Sequence, residues 1–318
     1  MNVSELVGRR VHELPDGPAL IATDGTALSW TQLRHRIGMA AERLRDCGIV
    51  AGDRVALLAA NSPDYAVTVL AAACMGAILV PLNWRLAAAD LVEQLVDSGS
   101  ALLLLDAVYA MQGAEAAASV KCRTAGLAEL RDNHSRARAE PLPVEPDHPL
   151  GIFYTGGTTG RAKGVVLTHG NLLANARNVA EHVRYGADDV HLHVMPMFHL
   201  GDLGAFFCQL FQGGSHVFLA QFRPGAVIDC IEQRRVTSFM LAPSAIQALF
   251  ADETIARRDL ASWRFMWYGG SPITETALRR ALALFRGEIV QGYGQTEATH
   301  TISVMSAEDH RLALARSE

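Results

Sequence analysis

An α/β fold with mostly parallel strands is predicted by three features of the sequence. Short, predominantly apolar runs such as Arg54–Ala59 (RVALLA) and Ala101–Leu105 (ALLLL) read as strands covered on both faces. Segments with helical spacing alternate with these runs, the pattern of βαβ units with right-handed crossovers. The 318 residues exceed the ~100–200 of one domain, so two or more subdomains around a large core are expected.

The elements follow in order. Leu28–Leu44 is predicted as a helix, with Leu33, Ile37, Ala41 and Leu44 on one face and Gly48 as its stop. Arg54–Ala59 is the next strand. Ala66–Leu82 (AVTVLAAACMGAILVPL) carries no charge over a length that just reaches a membrane span. Pro63 opens a helix there, Gly76 ends it, and AILVPL reads as a buried strand, so a helix and a strand are expected rather than a span. A helix over Ala87–Val96 and the strand Ala101–Leu105 complete this part. Asp132–Pro149, with its prolines and charges, reads as a surface connection. Leu150–Tyr154 is a strand, Val165–Leu167 is extended, and a helix runs from about Asn171 to Val183. Strands are then expected at His191–Met195, His216–Leu219, Ser238–Leu241, Phe265–Tyr268 and Glu288–Gln291, with a helix from Pro243.

The net charge is −5, which argues against general nucleic-acid affinity. Cys47, Cys74, Cys122, Cys208 and Cys230 form no C-x-x-C pair, and the N-terminus has no apolar leader; reduced thiols and a cytoplasmic location are expected.

Tyr154–Gly164 (YTGGTTGRAKG) follows a strand directly. Its glycines let backbone N–H groups face a ligand, its threonines add hydroxyl donors, and Lys163 adds a mobile cation suited to phosphate oxygens. The Walker A pattern fails, because Arg161 follows Gly160 and Gly164 follows Lys163. Taken alone, the stretch is a phosphate cradle or a solvated hairpin.

Three further stretches accompany it: Met195-Pro-Met-Phe-His-Leu-Gly201, Tyr268-Gly-Gly-Ser-Pro272 and Gln291-Gly-Tyr-Gly-Gln-Thr-Glu297. In this order they resemble the signatures of the adenylate-forming (AMP-binding) enzymes, in the acyl-CoA synthetase or fatty-acid–CoA ligase branch. Asn61-Ser-Pro63 and Gly76–Asn83 extend the likeness. The glycine loop departs from the family pattern twice: Gly156 takes the usual serine position, with Gly157 beside it, and Ala162 replaces a proline.

The resemblance implies two stacked, mostly parallel sheets with flanking helices, one subdomain over 50–180 and another over 10–49 plus 181–318. It implies an ATP-dependent ligase that joins a carboxylic acid, a fatty acid by expectation, to AMP and then to CoA. Thr155, Gly156, Gly157, Thr158, Thr159, Gly160 and Lys163 would hold the β- and γ-phosphates. Gly269, Gly270, Ser271, Pro272, Gln291, Gly292, Tyr293 and Gly294 would hold the adenosine, Tyr293 lying on the adenine. Thr296 would contact the α-phosphate and Glu297 would ligate Mg²⁺. Outside the family, Tyr293 would be a core aromatic, Thr296 a helix N-cap and Glu297 a solvated charge. His199 borders the acyl and pantetheine path, with Leu200, Gly201, Gly204 and Trp267 beside it; the glycines there would leave room for a sizeable acyl group. Asp202 is unexpected in such a segment and would face solvent or a polar substituent. His191 and His193 share strand spacing, but no cysteine or carboxylate pair stands at ligand spacing, so they read as polar-face strand residues rather than a zinc site.

The family's ribose-binding T-G-D segment, basic hinge and lysine-bearing C-terminal domain do not follow before Glu318. A truncated large domain lacking most of its β-barrel is the expectation. Its uncovered apolar flank would suit a partner or a second copy. Two alternatives share the motifs: a non-catalytic fragment that binds ATP or acyl-adenylate, and a ligase that loads a carrier protein.

Overall fold

The computed structural model describes residues 3–131, 144–156, 161–183 and 185–315. Gly157, Thr158, Thr159 and Gly160, and 132–143 of the Pro-rich connection, lie outside the described residues. The chain divides into two compact units. The first comprises 1–19, 28–174 and 197–199; the second comprises 20–27, 175–196 and 200–318.

The first unit opens with α1 (Val3–Glu13), which periodicity did not reveal. After β1 (Pro18–Ile21) and β2 (Ala27–Ser29), α2 (Trp30–Asp46) starts on a capping box. The Ser29 hydroxyl accepts from Gln32 N at 3.2 Å, and Gln32 Oε1 accepts from Ser29 N at 2.8 Å. Leu33, Ile37, Ala41 and Leu44 are buried, as their spacing predicts. β3 (Arg54–Leu58) leads to α3 (Pro63–Met75), with Pro63 at its first position and Ser62 accepting from Tyr65 N at 3.1 Å. Gly76, at φ 71°, ends it in the left-handed region. Every residue from Tyr65 to Met75 is buried, and β4 (Ile78–Pro81) follows. The uncharged run is thus a helix and a strand. Among the described residues no helix is long and apolar enough to cross a membrane.

α4 (Ala88–Ser98), β5 (Leu102–Leu105), α5 (Ala110–Val120), β6 (Arg123–Gly126), β7 (Pro149–Thr155) and β8 (Lys163–Thr168) complete this unit. Its six-stranded sheet has the order β6-β5-β3-β4-β7-β8. All neighbours are parallel except β7 and β8, which form an antiparallel pair. The apolar runs fill its core, with Ala56, Leu58, Val80, Leu103 and Leu105 packed under Leu91 and Leu95 of α4.

α6 (His169–His182) carries the chain into the second unit. There follow β9 (Val190–His193), α7 (Leu200–Gln212), β10 (Ser215–Phe218), α8 (Pro224–Arg234), β11 (Ser238–Leu241) and α9 (Pro243–Ala251). β12 (Phe265–Gly269), α10 (Glu275–Leu284), β13 (Glu288–Tyr293), β14 (Ser303–Met305) and α11 (Ala307–Ala315) end it. The eight-stranded sheet runs β14-β13-β12-β11-β9-β10-β1-β2. Pairing from β1 through to β13 is parallel, and β14 returns antiparallel. Its core centres on Trp263, whose ring lies 4.8 Å from Phe239 and 4.1 Å from Phe285. Asp189, 2% exposed, ties strand entries together by accepting from Gly186 N and Thr237 Oγ1, each at 2.6 Å, and from the Arg264 guanidinium. No disulfide joins any of the five cysteines.

Two expectations need correction. His191 and His193 are not on a polar face: both are fully buried, because α7 packs over that side of β9 and β10. Asp202, in the first turn of α7, is fully buried too and meets His193 rather than solvent.

Candidate active site

In the first unit, the antiparallel β7–β8 pair carries Thr155, Gly156 and Lys163 of the glycine-rich stretch. Thr155 and Lys163 are register partners across β7 and β8, and the Thr155 hydroxyl lies 3.5 Å from the Lys163 carbonyl. Gly164 is required beside them, since a Cβ there would sit 2.7 Å from the Ile152 side chain and 3.3 Å from the Tyr154 ring. Tyr154 anchors the strand by donating to Asp97 Oδ2 at 2.6 Å; burial and that carboxylate raise its pKa. Gly156 has open space where a Cβ would stand. Lys163 is exposed, and among the described residues no carboxylate pairs with it. An exposed cation without a carboxylate partner suits an anionic ligand.

Also in this unit, Met197 N donates to Asn61 Oδ1 at 2.9 Å, which fixes the Pro-Met-Phe-His turn. Phe198 packs edge-on against Trp84 at 5.8 Å and lies 4.3 Å from the His199 ring. His199 keeps an exposed surface, while the atoms crowding its other side, then the Arg85 cation, lower its pKa. It is therefore a neutral imidazole at pH 7, able to donate or accept.

The second unit holds the remaining stretches. At the end of β12, Gly269 opposes Gly292 of β13, and a Cβ on Gly269 would stand 2.7 Å from the Gly292 carbonyl oxygen. Gly270 has φ 78° and nothing within 4 Å of its missing Cβ. The two glycines thus serve different needs, close strand approach and a left-handed turn. Ser271 and Pro272 follow, exposed. Tyr268 is buried and hydrogen-bonds His310 Nε2 at 2.7 Å; burial pushes its pKa up to about 12.

Gln291 and Tyr293 line a cavity of about 440 Å³ with Ser303, Val304, Met305 and Asp309. Tyr293 is 61% exposed, so it is no core aromatic and its ring face is available. A neighbouring cavity of about 290 Å³ includes Tyr268, Pro272, Gln291 and His310. Gly294 lets the next loop fold back, since a Cβ would strike the His300 carbonyl. Thr296 and Glu297 occupy a short 3₁₀ turn whose cap position is Gln295, which corrects the N-cap reading of Thr296. Glu297 is exposed, and among the described residues no cation pairs with it. The turn ends at Thr299 with φ 77°, an uncommon conformation for a β-branched residue.

His300 was not anticipated. Its ring fills the space in front of Gly204, where a Cβ would lie 2.6 Å from Cγ. The room expected beside that glycine is taken by an imidazole, whose Nδ1 pairs with Thr301 Oγ1 at 2.8 Å. Desolvation holds its pKa at about 4. Trp267, buried, stands 6.4 Å away from it. A Cβ on Gly201 would stand 3.6 Å from the Met240 methyl, and Leu200 is buried. Only the pairing of Gly204 with a bulky residue downstream could have revealed His300, and no local pattern carries that.

The AMP-binding enzyme model matches residues 7–316. The chain belongs to the AMP-binding enzyme family. It is 38% identical over 302 residues to a feruloyl-CoA synthase of an Amycolatopsis species, covering 93% of this chain and 60% of that protein. It is 32% identical to the fatty acid–[acyl-carrier-protein] ligase ScoC of Streptomyces coeruleorubidus, over 91% of this chain and 57% of that one. The inhibitor-bound N-terminal domain of FACL13 from Mycobacterium tuberculosis superposes with a TM-score of 0.90 at 28% identity, covering 98% of this chain and 80% of that domain. The chain therefore spans about 60% of the length of the curated relatives it matches. The two mostly parallel sheets agree with that domain, and the described residues form no closed barrel.

Proposed function

We propose that this chain is the nucleotide- and acyl-binding part of an acid–thiol ligase, which activates a carboxylic acid as its adenylate and passes the acyl group to a thiol, CoA by first expectation. The observation that carries this reading is the paired-glycine turn of Gly269 and Gly270 beside the Gln291–Tyr293 cavity, inside an AMP-binding enzyme match covering nearly the whole chain. Gly269 to Pro272, Gln291, Gly292 and Gly294 supply backbone and narrow walls for the adenosine, and the exposed Tyr293 ring supplies a stacking face. Thr155, Gly156 and Lys163 offer hydroxyl, amide and cation to the β- and γ-phosphates, and Thr296 offers its hydroxyl to the α-phosphate.

ATP and the acid supply the reacting atoms; the protein's residues position them and offset charge. Glu297 fits a Mg²⁺ ion that retains waters, because it is an exposed oxygen donor without a cation partner among the described residues. Mg²⁺ would neutralise phosphate charge when bound. His199, neutral at pH 7, borders the acyl and thiol path.

An aromatic acid is the acid class we favour. Identity is higher to the feruloyl-CoA synthase than to the fatty acid ligase, and His300 reduces the room that Gly204 would otherwise leave for a long chain. A fatty acid is the second reading, supported by the Met-Phe-His-Leu-Gly context and the likeness to ScoC. Carboxylate-dependent ATP–pyrophosphate exchange on the 318-residue chain, with hydroxycinnamates, benzoates and fatty acids of graded length, tests both. Exchange with aryl acids alone supports the first reading, and exchange with fatty acids alone sinks it. Transfer to CoA against a carrier-protein pantetheine then separates the acceptors. No exchange, with ATP binding that weakens about 10-fold in Lys163→Ala, identifies a binding-competent piece that needs more chain to react.

A further inference from the structure

A cluster of four titratable side chains lies inside the second unit and takes no part in the proposed adenylation. It arises from strand periodicity and helix packing. His191 and His193 are two residues apart on β9 and so share one face, and His216 on β10 is the register partner of His191. α7 covers that face, and its first turn brings Asp202 onto the histidines, with Phe206 one turn further along. His191, His193, His216 and Asp202 are each fully buried. Phe206 and Phe218 wall the cluster, 5.6 Å and 5.0 Å from the His193 ring.

Each ring is held by contacts at its nitrogens. His191 Nδ1 lies 2.9 Å from Ser238 Oγ, while its Nε2 has no partner. His193 Nε2 lies 2.9 Å from His216 Nδ1, and the two rings are nearly coplanar at 17°. His193 Nδ1 lies 3.3 Å from Asp202 Oδ1. In the tautomers in which His191 Nδ1 donates to Ser238 and His193 Nε2 donates to His216, His191 Nε2 keeps a lone pair and that of His193 Nδ1 faces Asp202. Buried ring nitrogens rarely stand without a partner, which makes His191 Nε2 a group that calls for a ligand.

We propose that His191 Nε2, His193 Nδ1 and Asp202 form a binding site for a divalent first-row transition metal, with Zn²⁺ as the best match. One ligand atom from each residue lies within 4.8 Å of the other two. Tetrahedral ligands at zinc distances stand about 3.4 Å apart, so the 3.3 Å between His193 and Asp202 already fits, and the ligand atoms of the three residues need draw together by little more than about 1 Å. Two imidazoles and a carboxylate suit zinc and leave one position for a water or small anion. Ser238 and His216 are the outer partners that fix the ring tautomers, as carboxylates and carbonyls do in established sites. The metal would staple the start of α7 to β9. Spacing along the sequence concealed the carboxylate, because Asp202 reaches the histidines only through the packing of α7 on the sheet.

The test uses the whole 318-residue chain, made without a histidine tag. It is stripped with a chelator and given Co²⁺ or Zn²⁺, both in the native state and during refolding, since a closed site fills most readily as the fold forms. The expected result is one equivalent of Co²⁺ with the visible d–d bands of a tetrahedral ion, displaced by Zn²⁺. Asp202→Asn should weaken Co²⁺ at least 10-fold, and Ser238→Ala about 10-fold, with unchanged far-UV circular dichroism. His35→Gln, at an exposed histidine, should change nothing. If Asp202→Asn fails to fold, Ser238→Ala decides. A folded wild-type chain that takes up no Co²⁺ by either route, or Co²⁺ bands that the folded variants leave unaltered, overturns the proposal and leaves a hydrogen-bonded core cluster.

Discussion

Gly269 and Gly270 stand side by side, yet the same substitution should act on them through different physics. At Gly269 the obstacle is steric. An added methyl would lie 2.7 Å from the Gly292 carbonyl oxygen and 3.1 Å from the Met240 methyl. The methionine end can swing away, but the carbonyl belongs to the β12–β13 ladder and cannot move without shifting a strand. Overpacking of this kind costs about 1–3 kcal/mol. At Gly270 there is open space, but φ is 78°, which costs an L-residue about 1–2 kcal/mol. Asparagine tolerates the left-handed region, so Gly270→Asn should recover part of what Gly270→Ala loses, whereas Gly269→Asn should be worse than Gly269→Ala. Urea unfolding gives the four stabilities, and titration with ATP gives the four affinities. Gly269→Ala should weaken ATP more than Gly270→Asn, because it displaces the strand that carries Gln291 and Tyr293. Equal stabilities for alanine and asparagine at both positions would refute the distinction.

Gly204→Ala should push the His300 ring from its place, costing about 1–3 kcal/mol and changing the ranking of acids in the exchange assay rather than the affinity for ATP. Asp189→Ala removes the acceptor shared by Gly186 N, Thr237 and Arg264; losing these part-buried hydrogen bonds costs about 1–3 kcal/mol, read as a lower urea midpoint. His169, buried beside His148, is held at about 4 by desolvation first and then by the His148 charge. Its folded pKa is depressed, so the unfolded chain binds the extra proton between about pH 4 and 6.5. Its contribution is therefore complete above about 6.5 and lost as pH falls towards 4, on the order of 3 kcal/mol in all. Denaturation of the wild type and His169→Phe across that window checks this: the variant should lose that part of the pH slope, and parallel slopes would contradict it.

The parts of the fold legible in sequence are those where local chemistry and burial agree. Pro63, the uncharged run and Gly76 describe α3 completely, because the same residues start, bury and stop it. α1 and α10 escaped notice for the opposite reason. α1 begins within a polar N-terminal stretch, and α10 (ETALRRALAL) buries only Ala277, Leu278 and Ala281, so each shows a short apolar stripe amid charges. β14 is three residues long with no buried member, and only pairing with β13 makes it a strand.

The candidate site divides along the same line. Glycine-bearing turns such as Tyr268–Pro272 are visible as a local pattern, with the left-handed φ selecting glycine at Gly270 and the close β13 strand selecting it at Gly269. His300 and Asp202 show no such pattern. His300 gains its place from the absence of a side chain at Gly204, far away along the chain, and Asp202 gains its neighbours from the docking of α7 on β9 and β10. Spacing along a strand put His191 and His193 on one face but could not say which face the helix would cover. A carboxylate drawn into that cover then changes their chemistry from solvated side chains to a closed donor set. Residues whose roles depend on a void or a cover belong to the packing, and no pattern along the chain announces them.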